Sequence, residues 1–261
     1  MLSWSRRMRN LANYQAKKSL LDDRVVLVTG ASSGLGEMCA HHLSRHGATI
    51  CLHGKSESNL EKTLDRLTSS SNHDHYGILL DFNSATELDF LKMLQAIEKR
   101  FGKLDGIVHC ANFLEPLSRL EYKTLDSWNQ SIKVNTVAPA VINKTFLPLL
   151  RESGDASIIH ISETHARLNS PFWGQYAASK IAMETVALTQ AAELEKDPSV
   201  RINILIPGPI RTPSRQLAYP GEASSEQINP GMVMSYLLYL IGPDSQDVSG
   251  KTFRAHPKKD P

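Results

Sequence analysis

The chain has 261 residues, 41% of them apolar, which fits one large α/β domain better than two. No apolar run reaches the ~18–20 residues of a membrane-spanning helix; the best candidate, Met232 to Ile241, carries Ser235 and reads as a buried helix. The formal charge of +2 hides a basic arm and a mildly acidic body, because residues 1–21 hold Arg6, Arg7, Arg9, Lys17 and Lys18 and no acid; such a body lacks the basic face of a nucleic-acid binder.

Residues 1–20 read as a basic N-terminal extension ahead of a single domain over 21–261. Arg-bearing and acid-free, the extension has the composition of a mitochondrial presequence, and equally that of a surface-lying arm on a cytoplasmic protein. The second reading is preferred, and deletion of residues 1–12 is then expected to leave the fold intact, since no strand signal begins before Val25. From Arg24 onward, strand-like and helix-like segments alternate. Val25–Thr29 is a strand and 34–46 a helix; Ala48–Leu52 is the next strand. Ser58-Asn59-Leu60-Glu61 has capping-box spacing and opens a helix that ends in a serine-rich turn at 69–72. Strand 77–80, helix 85–101, strand 106–109 and a long helix 128–150 follow. Strand 156–161, helix 174–195, strand 200–206, helix 231–241 and a last strand near 251–254 complete the pattern. The alternation predicts a single doubly wound Rossmann domain, with a parallel sheet of about seven strands and helices on both faces. Ligands on such a sheet bind beyond the carboxyl ends of the strands.

Two motifs fall there. Thr29-Gly30-Ala31-Ser32-Ser33-Gly34-Leu35-Gly36 joins a strand to a helix, and its glycines let backbone N–H groups approach a pyrophosphate at the helix start. Tyr176 and Lys180 are spaced i, i+4, so a phenol and an ammonium share a helical face; a nearby cation is expected to lower the phenol's pKa. Cys39, Cys51 and Cys110 have no metal-like spacing and fit a reducing compartment; no metal site is expected.

Together these motifs resemble the short-chain dehydrogenase/reductase family over residues 20–253. The opening Leu20-Leu21-Asp22-Asp23-Arg24 and the closing Gly250-Lys251-Thr252-Phe253 are most like the bacterial YciK-type oxidoreductases. The resemblance implies hydride transfer between a nicotinamide and a small carbonyl or alcohol substrate, in a homodimer or homotetramer. Tyr176 would be the acid/base, with Lys180 its activator and Asn135 the support of a water relay. Thr29, Gly30, Ser32, Ser33, Gly34, Leu35 and Gly36 would hold the dinucleotide from one side. Asp81, Phe82, Ala111, Asn112, Pro207, Gly208, Ile210 and Thr212 would hold the rest, with Tyr176 and Lys180 at the ribose. An NAD site places an acid at the end of strand two; here Lys55 stands in Leu52-His53-Gly54-Lys55-Ser56, which favours NADP(H) over NAD(H).

Two departures follow. The family's serine, thirteen residues before the tyrosine, falls on Glu163, flanked by Ser162 and Thr164. An ionised carboxylate cannot donate a hydrogen bond. Three arrangements remain: Ser162 substitutes by a one-residue shift, Glu163 is protonated, or reductase chemistry is impaired. Asn112 stands where the family has glycine, as a residue that tolerates a left-handed backbone. His165 is a candidate substitute acid or substrate contact, and residues 213–227 a lid. The leading expectation is an NADP(H)-dependent oxidoreductase; its rival is a catalytically impaired dinucleotide-binding or interaction protein.

Overall fold

Val25–Thr29 (β1) is buried at all five positions, as a strand covered on both faces must be. The computed structural model describes residues 11–223 and 230–256. After β1 come β2 (Thr49–Gly54), β3 (Tyr76–Leu79), β4 (Gly106–His109), β5 (Ala156–Ile161), β6 (Val200–Ile206) and β7 (Lys251–Arg254). They pair in parallel in the order β3-β2-β1-β4-β5-β6-β7. The order reverses between β1 and β4, which opens a crevice at their carboxyl ends. This is the doubly wound α/β sheet that the alternating pattern predicts.

The helices are α1 (Gly34–Ser44), α2 (Glu57–Ser70), α3 (Glu87–Phe101), α4 (Leu125–Ile132), α5 (Ala138–Glu152), α6 (Gly174–Glu193), α7 (Pro213–Ala218) and α8 (Pro230–Ile241). One core layer lies under α1, α2 and α8 and contains Leu43, Leu67 and Leu237. The other lies under α3, α5 and α6 and contains Ile97, Phe146 and Ala187. Burying each such side chain contributes roughly 1.5–3 kcal/mol, so two continuous layers hold the sheet rigid beneath the site. No helix among the described residues is long and apolar enough to cross a membrane.

Three local readings change. Helix α2 opens at Glu57 with Ser56 as its cap, so Ser58 and Glu61 lie inside the helix; the capping box belongs to α3, where Thr86 and Asp89 bond reciprocally. The long helix begins earlier than Trp128, because Thr124 Oγ1 accepts the Ser127 N–H at 3.1 Å. It is also broken by a π turn at Lys133–Val137. The third concerns the extension: residues 1–10 lie outside the described residues, whereas 11–20 run along the body. Leu11 is buried, Tyr14 packs edge-on against Tyr239 at 5.5 Å, and its hydroxyl donates to Asp244 at 2.7 Å. A deletion through residue 12 therefore removes a core residue. Leu11→Ala is expected to cost about 2 kcal/mol and to lower Tm by about 4–8 °C in thermal unfolding.

Candidate active site

The glycine turn after β1 is tight for reasons visible in its surroundings. Gly30 has a φ of +66°, and a Cβ there would stand 2.7 Å from the Ala111 backbone. A Cβ on Gly36 would land on the Gly30 carbonyl oxygen, so α1 packs directly on the turn that precedes it. Ser33 caps α1 without a side-chain hydrogen bond, which leaves the N–H groups of the first turn open toward the cleft. Thr29 is buried behind this turn, where its Oγ1 accepts the Ala111 N–H at 3.2 Å and ties β1 to the loop after β4.

His53 was not singled out from the sequence, yet it braces this end of the cleft. Its Nδ1 accepts from the Gly30 N–H at 3.3 Å, its Nε2 lies 2.8 Å from the Leu80 carbonyl, and its ring stacks on Phe82 at 3.9 Å. Burial pushes its pKa down to about 4, so it is neutral, as that bonding pattern requires. Asp81 is exposed at the cleft edge, and Lys55 projects from the end of β2. The stretch 52–56 at that strand end contains no acid.

Asn112 lines the cleft, but its backbone is not left-handed. Among described non-glycine residues, positive φ occurs only at Asp23, Asn169 and Phe172. The reason given for asparagine there, a left-handed turn, therefore does not apply. Asn135 lies in the π turn and is buried. Its Oδ1 accepts from the Phe113 N–H at 2.6 Å and its Nδ2 donates to Ser179 Oγ at 2.8 Å, which clamps the β4 loop to α6.

Tyr176 and Lys180 share the inward face of α6, and both line the cleft. Lys180 Nζ donates to the Ile161 carbonyl at 2.6 Å and lies 5.9 Å from the centre of the Tyr176 ring. The phenol is held above its ordinary range, first by burial and then by the Glu163 charge. The Tyr/Lys spacing predicts a lowering, whereas burial and the Glu163 carboxylate push the phenol the other way. Lys180 itself is pulled down by burial to about 8 from an ordinary 10.5. The unfolded chain then binds this proton more tightly, so folded stability rises between about pH 8 and pH 10.5. Lys180→Met is expected to remove up to roughly 3 kcal/mol of that rise, read from urea midpoints at pH 7.5 and pH 10.

β5 ends at Ile161, so Ser162 and Glu163 lie just past it. Ser162 is buried, and its hydroxyl donates to Glu184, which also pairs with Arg167. Its proton is engaged there rather than in the cleft, although the residue borders it. Glu163 Oε1 accepts the Thr164 N–H at 2.8 Å and lies 3.1 Å from His165 Nδ1. His165 stacks on Trp173 at 4.3 Å, and its Nε2 meets the Tyr219 hydroxyl at 3.2 Å. The segment expected as a lid supplies α7, whose Arg215 lies over the Tyr219 ring at 4.0 Å and pairs with Glu222; residues 224–229 of that segment lie outside the described residues. Pro207, Gly208, Ile210 and Thr212 complete the wall after β6.

A glycine turn, a Tyr/Lys pair on one helix and a wall after β6 thus meet in one cleft. The family model for short chain dehydrogenases matches residues 24–223. The chain belongs to the short-chain dehydrogenase family. Among its relatives, the oxidoreductase YciK of Escherichia coli K12 is 32% identical over 249 residues, covering 95% of this chain and 98% of YciK. The solved structure of E. coli YciK superposes with a TM-score of 0.89 at 33% identity, covering 94% of this chain and 99% of that one. A short chain dehydrogenase from Shigella flexneri 2a, complexed with NADP, gives 0.88 at 32% identity, over 92% of this chain and all of that one. Another, from E. coli CFT073 and complexed with NADPH, gives 0.88 at 33%, with the same coverage.

Proposed function

We propose that this chain is an NADP(H)-dependent oxidoreductase that reduces a small carbonyl substrate, with Tyr176 as the proton donor. The observation that carries the reading is the meeting of Tyr176, Lys180 and the glycine turn in one cleft, with Lys55 at its far end. The residues fit a dinucleotide: the glycine turn leaves no room for side chains, and the first N–H groups of α1 have no side-chain cap. The nicotinamide, when bound, supplies the hydride, which no side chain can. Lys55 meets the 2′-phosphate, and Ser32 and Ser33 lie on the turn beside it. Asp81 and Phe82 follow β3, the strand beside β2, and line the same cleft. Lys180 orients the ribose and keeps a positive charge beside the phenol. Asn135 positions the β4 loop by clamping Phe113. Burial and Glu163 keep Tyr176 protonated, which favours reduction over alcohol oxidation. A cytoplasmic setting and assembly as a homodimer or homotetramer belong to the same proposal; light scattering in solution tests the assembly.

A titration of protein fluorescence with NADPH and NADH tests the reading without a substrate. NADPH is expected to bind more tightly. Lys55→Ala should weaken NADPH by about 10-fold, the scale of one charge-assisted contact, and leave NADH nearly unchanged. Equal losses for both, or an initial preference for NADH, would overturn the assignment. The second reading, a dinucleotide-binding protein with impaired chemistry, draws its support from the commitment of the Ser162 hydroxyl to Glu184 and from the carboxylate of Glu163.

A further inference from the structure

At the reacting end of the cleft, the hydrogen-bonding groups are unequal in a way that constrains the substrate. Tyr176 presents an O–H. The Ser162 hydroxyl, which borders the cleft, is spent on the buried Glu184 carboxylate. Glu163 presents a carboxylate, and its two oxygens have different employment. Oε1 takes the Thr164 N–H and faces His165 Nδ1, while Oε2 has no hydrogen-bond partner among the described residues and the residue lines the cleft. This orientation is built in: Glu163 caps the short 3-10 turn Thr164–Arg167, and His165 is fixed from its other side by Trp173 and Tyr219. The cleft therefore offers a fixed acceptor beside the phenol. A plain carbonyl has nothing to give that acceptor, and its oxygen would gain negative charge next to a carboxylate.

We propose that Glu163 selects carbonyl substrates bearing a hydroxyl on the neighbouring carbon, whose O–H donates to Glu163 Oε2 while Tyr176 serves the carbonyl oxygen. The proposal rests on the reductase reading above and names its substrate class. A hydroxyl on the adjacent carbon can address a second group beside the one that holds the carbonyl oxygen, so Tyr176 and Glu163 are engaged together. Glu163 is half-buried, and a bound substrate that covers it without donating leaves the acceptor unpaired, which is what gives a polar site its discrimination. An ammonium would also donate to Glu163, but the electrostatics oppose it. Glu163 contacts the Thr164 N–H and His165 and interacts electrostatically with Tyr176, Lys180 and Arg215, and two of these groups are cations. A neutral hydroxyl satisfies the acceptor without adding a third positive charge.

The test compares the NADPH-dependent reduction of 1-hydroxybutan-2-one with that of pentan-3-one, which has the same shape with a methyl in place of the hydroxyl. 1-Aminobutan-2-one is the third arm. The full chain is expected to prefer the hydroxy ketone by at least about 10-fold in kcat/KM over each of the others. Glu163→Gln is the decisive variant. Thr164 N–H and His165 keep the amide oxygen on their side, so the amide nitrogen turns a donor toward the cleft with almost no change of shape. The hydroxy-ketone preference should then fall at least 10-fold, chiefly by a gain in kcat with pentan-3-one, a change that a merely structural residue would not cause. Equal rates for the two ketones in the wild type, or an unchanged ratio in Glu163→Gln, would overturn the proposal while the reductase reading stands. A preference for the amino ketone overturns the hydroxyl assignment. If NADPH binds and neither ketone is reduced, quenching of bound NADPH by the ketones decides: the hydroxy ketone must bind more tightly than pentan-3-one. Failure of the wild type to bind NADPH removes the reductase reading, and this proposal with it.

Discussion

Replacing Tyr176 by phenylalanine is expected to lower carbonyl reduction by a factor of about 10² to 10⁴, the range of a positioned general acid. The phenol is buried on α6, lines the cleft, and is kept protonated by burial and by Glu163. The hydroxyls of its neighbours are engaged elsewhere, since Ser179 bonds the Tyr176 carbonyl at 2.7 Å and Ser162 bonds Glu184. Phenylalanine keeps the ring that packs with Trp173 and Ala218, so the fold and much of the NADPH affinity should survive. The measurement is single-turnover oxidation of bound NADPH with a carbonyl substrate, beside a fluorescence titration of NADPH. A variant that retains the wild-type rate would show that another group delivers the proton, with His165 the first to examine.

Glu163→Ser is expected to act in the opposite direction on a simple diketone or aldehyde. Restoring a donor at this position should raise kcat by a factor of about 10 to 10³, the scale on which one such donor acts in other active sites. It also removes the second cause of the raised Tyr176 pKa. Reduction needs the protonated phenol, so the rate falls as pH rises through that pKa. Lowering the pKa therefore moves the alkaline limb of the pH–rate profile to lower pH. NADPH affinity should change little, because Glu163 lies at the opposite end of the cleft from the glycine turn and Lys55. Ser162→Ala is the companion variant. Its hydroxyl donates to Glu184, so its loss should appear mainly as reduced stability, by about 1–3 kcal/mol for a buried carboxylate that loses a partner. If Ser162→Ala abolishes a healthy wild-type activity, the donor is Ser162. If Glu163→Ala abolishes it, the carboxyl group is itself required. Bound cofactor with no turnover in any variant would favour the dinucleotide-binding reading.

The elements least legible in the sequence are those set by contacts across long separations. The π turn at Lys133–Val137 has no periodic signature, because its residues continue the apolar pattern of the helices on either side. His53 reads as one polar residue at a strand end, and only the packing of β2 between β1 and β3 brings its two nitrogens to Gly30 and Leu80. The stack of His165, Trp173 and Tyr219 joins residues 54 positions apart. For the same reason the basic arm looked separable. Charge and the lack of a strand signal describe residues 1–20 locally, while Leu11 and Tyr14 find their partners on α8 and beyond it, more than 200 residues away.

The sequence by itself determined the alternation of strands and helices, hence the doubly wound sheet, and the glycine turn and Tyr176/Lys180 that mark its binding edge. Those features are set by short-range rules: burial on both faces of a strand, the spacing of a helix, and the room that only glycine leaves. The resemblance to the family marked Glu163 as the unusual residue, but could not choose between it and Ser162. Two adjacent side chains just beyond a strand take directions that the local chain leaves open. In the tertiary structure the Ser162 hydroxyl donates to Glu184 of α6, and His165 stands beside Glu163. The tertiary structure also raises the pKa of Tyr176, because the burial responsible is contributed by elements far apart in the chain.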